Sequence, residues 1–128
     1  MNTHAADRSL DMVQTVRRGA GLAEVQAILA AGTLTATELD HVVLPRRTLA
    51  HRRKLGSLTP EQADRLLRVR RILDMAAATF GSPDTAGVWL RRTNAVLSGE
   101  RPIDLLDTDT GTRMVENLLG RIDHGVAA

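Results

Sequence analysis

The chain of 128 residues contains no cysteine, and its only aromatic side chains are one tryptophan and one phenylalanine. The absence of cysteine excludes disulfide bonds, thiolate zinc sites and a cysteine nucleophile. Aromatic residues make up only 2% of the sequence, so a nucleic-acid surface that stacks bases on aromatic rings is not expected. Binding by this chain has to rely on charge, hydrogen bonds and aliphatic packing.

Long apolar runs are also missing. No stretch approaches the roughly 18 apolar residues of a membrane-spanning helix. The first residues, MNTHAADRSLDMVQ, contain no apolar segment of the signal-peptide type. We therefore predict a cytoplasmic protein with no membrane partner.

Signals for catalysis and for cofactors are absent as well. The sequence has no nucleophile–base pair and no glycine-rich phosphate loop, and it predicts a protein that is not an enzyme and binds no cofactor. The four histidines are dispersed, without the spacing or the carboxylate partners of a metal site. The stretch DTDTGT at residues 107–112 lacks the terminal glutamate of a calcium loop, and a capped helix start explains it better.

Positive charge is concentrated in one part of the chain. The formal net charge is only +2, but residues 46–71 hold eight arginines and one lysine against two acids, and the flanking segments are mildly acidic. Residues 45–54, PRRTLAHRRK, carry five fixed positive charges and no acid. Such a stretch is either a solvated basic face or a surface for a negatively charged partner.

Helical signals dominate, and no segment shows the period-two alternation of a strand, so the fold class is predicted to be all-α. The clearest helix starts are Thr35 with Glu38 and Thr59 with Gln62, both capping boxes, and Ser82 followed by proline. A short turn is predicted from Pro102, and a last helix near residue 108 or 109.

Residue spacing predicts one further helix and the extent of the helix that begins after Ser82. Leu10, Val13 and Val16 indicate a first short helix. A later helix is expected to follow Ser82, to bury residues 89, 93, 96 and 97, and to end at Gly99. The elements fall into two groups, which we predict as domains over residues 1–56 and 57–128, with the long helix from residue 60 to 80 packing them together.

The basic stretch follows a pattern typical of a helix-turn-helix. A capped helix after Thr35 is joined by the tight connection VLP to a helix that begins near Pro45, whose first turns would enter the major groove. Arginine suits guanine edges, and both arginine and threonine suit phosphates. The candidate DNA-binding residues are Arg46, Arg47, Thr48, His51, Arg52, Arg53 and Lys54.

Three stretches together resemble one known family. They are PRRTLAHRRKLGSLTPEQADRLLRV, FGSPDTAGVWL and SGERPIDLLDTDTGTRMVENLLGRIDHG. In combination they resemble the Xre/MbcA/ParS antitoxins of type II toxin–antitoxin systems, over roughly residues 38–125. The resemblance implies an N-terminal Xre-like helix-turn-helix domain and a C-terminal toxin-binding domain.

The same resemblance implies partners and roles. The partner would be a RES-domain toxin that acts on NAD, held inactive by occlusion, and the antitoxin would repress its own operon by binding operator DNA, with a homodimer covering two half-sites. The basic helix would read DNA. The implied toxin-binding residues are Trp89, Pro102, Leu105, Leu106, Gly111, Arg113, Leu118, Arg121, Ile122, His124 and Gly125.

Two other functions remain open from the sequence. The chain could be a stand-alone helix-turn-helix repressor whose C-terminal half only dimerises, or a helical adaptor with no role on DNA. Trp89 also has two possible roles. A lone tryptophan is more often a core residue than an interface anchor.

Overall fold

A computed structural model of the chain describes residues 8–11, 13 and 21–125. Residues 8–11 and 13 are helical; Val16, the third apolar residue of the predicted first helix, lies outside the described residues. The elements that follow are α1 (Leu22–Ala30), α2 (Ala36–Val42), α3 (Arg46–Leu55), α4 (Pro60–Phe80), α5 (Pro83–Leu90), the 3₁₀ turns η1 (Ala95–Leu97) and η2 (Pro102–Asp107), and α6 (Asp109–Asp123).

The described residues contain no strand, only an isolated bridge between Asn94 and Glu100, so the all-α prediction is confirmed. None of the helices in the described ranges combines the length and the apolar character needed to cross a membrane.

The predicted helix starts are confirmed at the level of individual hydrogen bonds. The Thr35 hydroxyl accepts from the Glu38 amide while the Glu38 carboxylate accepts from the Thr35 amide. Thr59 and Gln62 exchange the same pair of bonds at the start of α4. Such caps satisfy amides that the helix itself cannot pair, which fixes where each helix begins. Thr108 caps α6 with a single bond, its hydroxyl accepting from the Gly111 amide, as the helix-start interpretation of DTDTGT predicts.

The helix predicted from Ser82 to Gly99 is wrong in its second half. It begins as predicted, with the Ser82 hydroxyl accepting from the Thr85 amide, but it ends at Leu90. The Asn94 side chain then accepts from the Val96 amide and starts the separate turn η1. Asparagine bonds its own backbone readily and competes with a continuing helix.

One hydrophobic core joins both halves of the chain. Its most deeply buried members include Ile28 and Leu44 from the first half and Ile72, Leu106 and Leu119 from the second. The long helix α4 packs against both α5 and α6, and η2 packs against α2. The N-terminal and C-terminal parts are therefore held in one fixed arrangement by shared packing.

Candidate functional site

Helices α2 and α3 meet at a tight, well-anchored turn. Val42, Val43 and Leu44 are each only 1% exposed, and Pro45 then turns the chain into α3 with an extended backbone. Leu49 is 5% exposed and fixes the inner side of α3 to the core. Three consecutive buried aliphatic residues hold the angle between the two helices in place of the glycine found in many such turns.

The outer side of α3 carries the basic residues. Arg47, His51 and Lys54 are exposed, and their spacing of four and three residues places them on one face, opposite Leu49. Arg53 is exposed beside them, and Thr48 is half-buried. The cations at the end of α3 also suit the negative end of the helix dipole.

Two of the predicted DNA-binding arginines are held by the protein itself. The Arg46 guanidinium donates to the Thr37 hydroxyl at 2.8 Å, which ties the start of α3 to α2. The Arg52 Nε donates to the Ser57 carbonyl at 2.7 Å, which ties the end of α3 to the following loop. Both contacts orient α3. The side chains of Arg47, His51, Arg53 and Lys54, by contrast, are exposed to solvent.

The acid that caps α3 is not among the residues predicted from the sequence. The Asp40 carboxylate accepts from the Arg46 amide at 2.7 Å, which satisfies an unpaired amide at the helix start. Pro45 stands at the usual capping position and has no side chain for this task. The sequence offers only one signal for this contact, which is that Asp40 precedes a helix start without a capping side chain. Asp40 and Arg46 are six residues apart, a separation outside the usual capping patterns.

In the C-terminal half, four of the implied toxin-binding residues lie inside the fold. Pro102, Leu106, Gly111 and Leu118 are buried. Gly111 packs so closely on the backbone of Leu105 that a Cβ at position 111 would overlap the Leu105 carbonyl oxygen. These residues shape the surface formed by η2 and α6.

The exposed members lie along α6 and its end. Arg113, Arg121, His124 and Gly125 are exposed, and Ile122 is half-buried. Arg113 pairs with Asp109 one turn earlier, and the His124 ring donates from Nδ1 to the Gly120 carbonyl at 2.7 Å.

Met114, which was not among the predicted residues, is 45% exposed on the same side of α6. Its position follows from helical spacing, because residues 110, 114, 117 and 121 fall on one side of the helix. We call the exposed residues 110, 113, 114, 117, 121 and 124 the α6 stripe.

Trp89 and Leu105 are intermediate in burial. The Trp89 ring packs on Phe80 with 5.2 Å between ring centroids and 36° between planes. The side chains of Trp89 and Leu105 both pack against the hydrophobic core. Trp89 therefore serves as core packing on one side and offers a partly exposed ring on the other.

A hydrogen-bonded ion pair joins the two halves. Arg91, at the end of α5, donates from Nε and Nη2 to the two carboxylate oxygens of Glu38 at 2.8 and 2.9 Å. Its Nη2 also donates to the Thr33 carbonyl at 3.1 Å. At the other end of α2, His41 Nε2 donates to the Asp104 carbonyl in η2 at 3.1 Å.

The Glu38–Arg91 pair shifts the titration of both groups. Burial alone raises the pKa of Glu38, but the bonds from Arg91 and from the Thr35 amide, with the charge of Arg91, outweigh it and hold that pKa below its ordinary value. The bond to Glu38 raises the pKa of Arg91. Because the folded pKa of Glu38 is depressed, its contribution to stability is present above the unfolded pKa of about 4.3 and is lost as pH falls through the folded pKa.

We predict that Glu38→Gln lowers stability at pH 7 and has progressively less effect below about pH 4. Glutamine keeps the capping box, as Gln62 does on α4, so the substitution removes mainly the charge. Urea unfolding of the wild type and the variant at pH 7 and pH 3 measures the difference. An equal difference at both pH values would contradict the assignment.

Comparison with known proteins gives two adjoining matches. Residues 11–71 match the family model described as the antitoxin Xre-like helix-turn-helix domain. Residues 75–125 match the model described as the antitoxin Xre/MbcA/ParS C-terminal toxin-binding domain. The first match contains α2 and α3, and the second contains α5, η2 and α6.

Several similar proteins are also named antitoxins. An antitoxin Xre from Yersinia enterocolitica is 30% identical over 94% of this chain and 84% of its own length. An antitoxin Xre from Pseudomonas putida is 39% identical over 73% of this chain and 59% of its own length. A protein named Prs ADP-ribosylating antitoxin from a Sphingobium species is 23% identical over 93% of this chain and 82% of its own length.

The fold and the two matched regions define a non-enzymatic regulator, a helix-turn-helix domain joined to a toxin-binding domain. The chain belongs to the Xre/MbcA/ParS antitoxin family. It is the antitoxin component of a toxin–antitoxin system, and its partner is a toxin.

Proposed function

We propose that this antitoxin neutralises a RES-domain toxin that consumes NAD, and that it represses its own operon by binding operator DNA through α3. Neutralisation is by occlusion: the surface of η2 and the α6 stripe covers the entrance to the cofactor pocket of the toxin. The observation that carries the proposal is that one rigid core presents two separate surfaces on different helices, the basic face of α3 and the α6 stripe.

The basic face supports the DNA half of the proposal. Arg47, His51, Arg53 and Lys54 are exposed, and α3 contains no acid. Arginine at the first turns of such a helix can bond guanine edges, and the later cations can hold phosphates. Reading two half-sites requires two copies, so we propose a homodimer on DNA.

The α6 stripe supports the toxin half. It combines Met114, an exposed apolar side chain, with Arg113 and Arg121. Methionine and arginine are enriched at the centres of protein interfaces. The choice of an NAD-directed toxin is supported by the sequence resemblance and by the name of the Sphingobium relative, since ADP-ribosylation takes its ADP-ribose from NAD.

We expect Met114→Glu to weaken toxin binding at least tenfold with little change in folding stability, because a charge would be buried against the toxin without a partner. Ala27→Glu, which adds the same charge at an exposed position of α1, is the matched control. Calorimetric titration against the toxin measures both. Equal affinity of the two variants would remove the α6 stripe from the interface.

Co-expression tests the function as a whole. The antitoxin is expected to rescue cells from the RES-domain toxin encoded beside it and to co-purify with that toxin. A stand-alone repressor would bind DNA but would neither rescue the cells nor co-purify.

A further inference from the structure

Helix α2 is held at its start by a residue of the C-terminal half. The Glu38 carboxylate closes the α2 capping box through the Thr35 amide and also receives two bonds from Arg91. Arg91 further bonds the Thr33 carbonyl just before α2. One guanidinium thus fixes both the first turn of α2 and the chain that enters it.

Helix α2 also holds the start of α3. Thr37, beside Glu38 in the first turn of α2, accepts a hydrogen bond from the Arg46 guanidinium, and Asp40, one turn later, caps the Arg46 amide. Helix α2 is only seven residues long, and its Leu39 and Val42 are buried, so we expect it to shift as a rigid body. A shift at the Glu38 end therefore changes the position of the N-terminus of α3, where a helix-turn-helix contacts base edges.

Arg91 is also next to the surface proposed for the toxin. It follows Trp89 and Leu90 at the end of α5, and η2 packs against both α5 and α2. A toxin seated on η2 and α6 would press on the elements that carry Arg91. The side chain of Arg91 is 33% exposed and that of Glu38 is 11% exposed, so the pair is shielded enough from solvent to hold its geometry.

We infer that Arg91 is a positioning residue for DNA binding, and that the Glu38–Arg91 pair couples toxin binding to operator binding through α2. The inference rests on the proposed function, since it requires both partners. Coupling of this kind is reciprocal: a toxin that alters affinity for the operator has its own affinity altered by the operator by the same factor.

The experiment measures operator affinity with and without toxin, by fluorescence anisotropy on a labelled duplex from the DNA upstream of this gene. For the wild type, the toxin is expected to change operator affinity about fivefold or more. For Arg91→Gln, operator affinity without toxin falls about tenfold and the change caused by the toxin shrinks below about twofold. The salt dependence of binding stays as in the wild type, because Arg91 contacts no phosphate.

Arg70→Gln is the matched control. Arg70 forms ion pairs with Glu24 at 3.4 Å and with Asp74 at 3.3 Å, and neither partner lies in α2, α3, η2 or α6. This variant keeps the wild-type operator affinity and coupling. Arg91→Lys keeps the charge but cannot form the paired bonds, so it gives an intermediate loss and serves if Arg91→Gln does not fold.

Three results would overturn the inference: a toxin with no effect on wild-type operator affinity, full coupling in both Arg91 variants, or equal losses in Arg91→Gln and Arg70→Gln. Failure of the proposed function is distinguishable. In that case the wild type itself binds neither the upstream duplex nor the toxin, and the inference falls with it.

Discussion

Replacing Arg47 with alanine is expected to lower specific operator affinity by roughly ten- to a hundredfold, the loss of one good arginine–base contact. Arg47 is exposed on the first turn of α3, and no hydrogen bond or ion pair found among the described residues holds its guanidinium to the protein. Toxin neutralisation should be unchanged, because Arg47 belongs to α3 and not to the η2 and α6 surface proposed for the toxin. Anisotropy on the operator duplex and the growth-rescue assay measure the two effects.

Arg113→Ala is the matched control for charge. It removes one arginine from an exposed position on α6, and it should leave operator affinity within about twofold. Wild-type affinity should also fall steeply with salt, since each phosphate contact releases counterions. Equal losses from Arg47→Ala and Arg113→Ala, or a flat response to salt, would contradict a specific role for α3.

Replacing Gly111 with alanine is expected to destabilise the fold by about 3 kcal/mol, near the upper end for an overpacked site. The new Cβ would overlap the Leu105 carbonyl oxygen and press on the Thr108 hydroxyl that caps α6. Since backbone cannot rotate aside as a side chain can, η2 and α6 must separate. The surface proposed for the toxin is then distorted, and neutralisation should weaken more than operator binding.

Gly120→Ala on the same helix provides the comparison. No atom lies within 4 Å of a Cβ at Gly120, and alanine favours a helix interior over glycine by up to about 1 kcal/mol. This variant should be as stable as the wild type or more stable. Chemical unfolding measures both variants. A Gly111→Ala protein as stable as Gly120→Ala would show that η2 and α6 are not in close contact.

Local signals made much of the fold predictable. Thr35, Thr59, Ser82 and Thr108 cap helices as predicted, because capping depends on residues only a few positions apart. The end of α5 was not predictable in the same way. Thr93, Val96 and Leu97 continue the helical spacing, but the Asn94 side chain and the bridge to Glu100 turn the chain instead.

The candidate site was predicted less completely than the fold. The basic helix followed from its composition, but the sequence did not separate Arg46 and Arg52, which bind the protein, from Arg47 and Lys54, which are exposed. The link between Glu38 and Arg91 spans 53 residues, and only packing of the two halves brings the partners together. The division at residue 56, the individual DNA-binding residues and the individual toxin-binding residues stay predictions.

The most direct test of the central claim is titration of the purified RES-domain toxin with this antitoxin while NAD consumption is measured. Occlusion by a rigid helical surface predicts that NAD consumption stops at a fixed molar ratio of antitoxin to toxin, with Met114→Glu shifting the curve and Arg47→Ala leaving it unchanged. Continued NAD consumption at excess antitoxin would contradict the proposed mechanism.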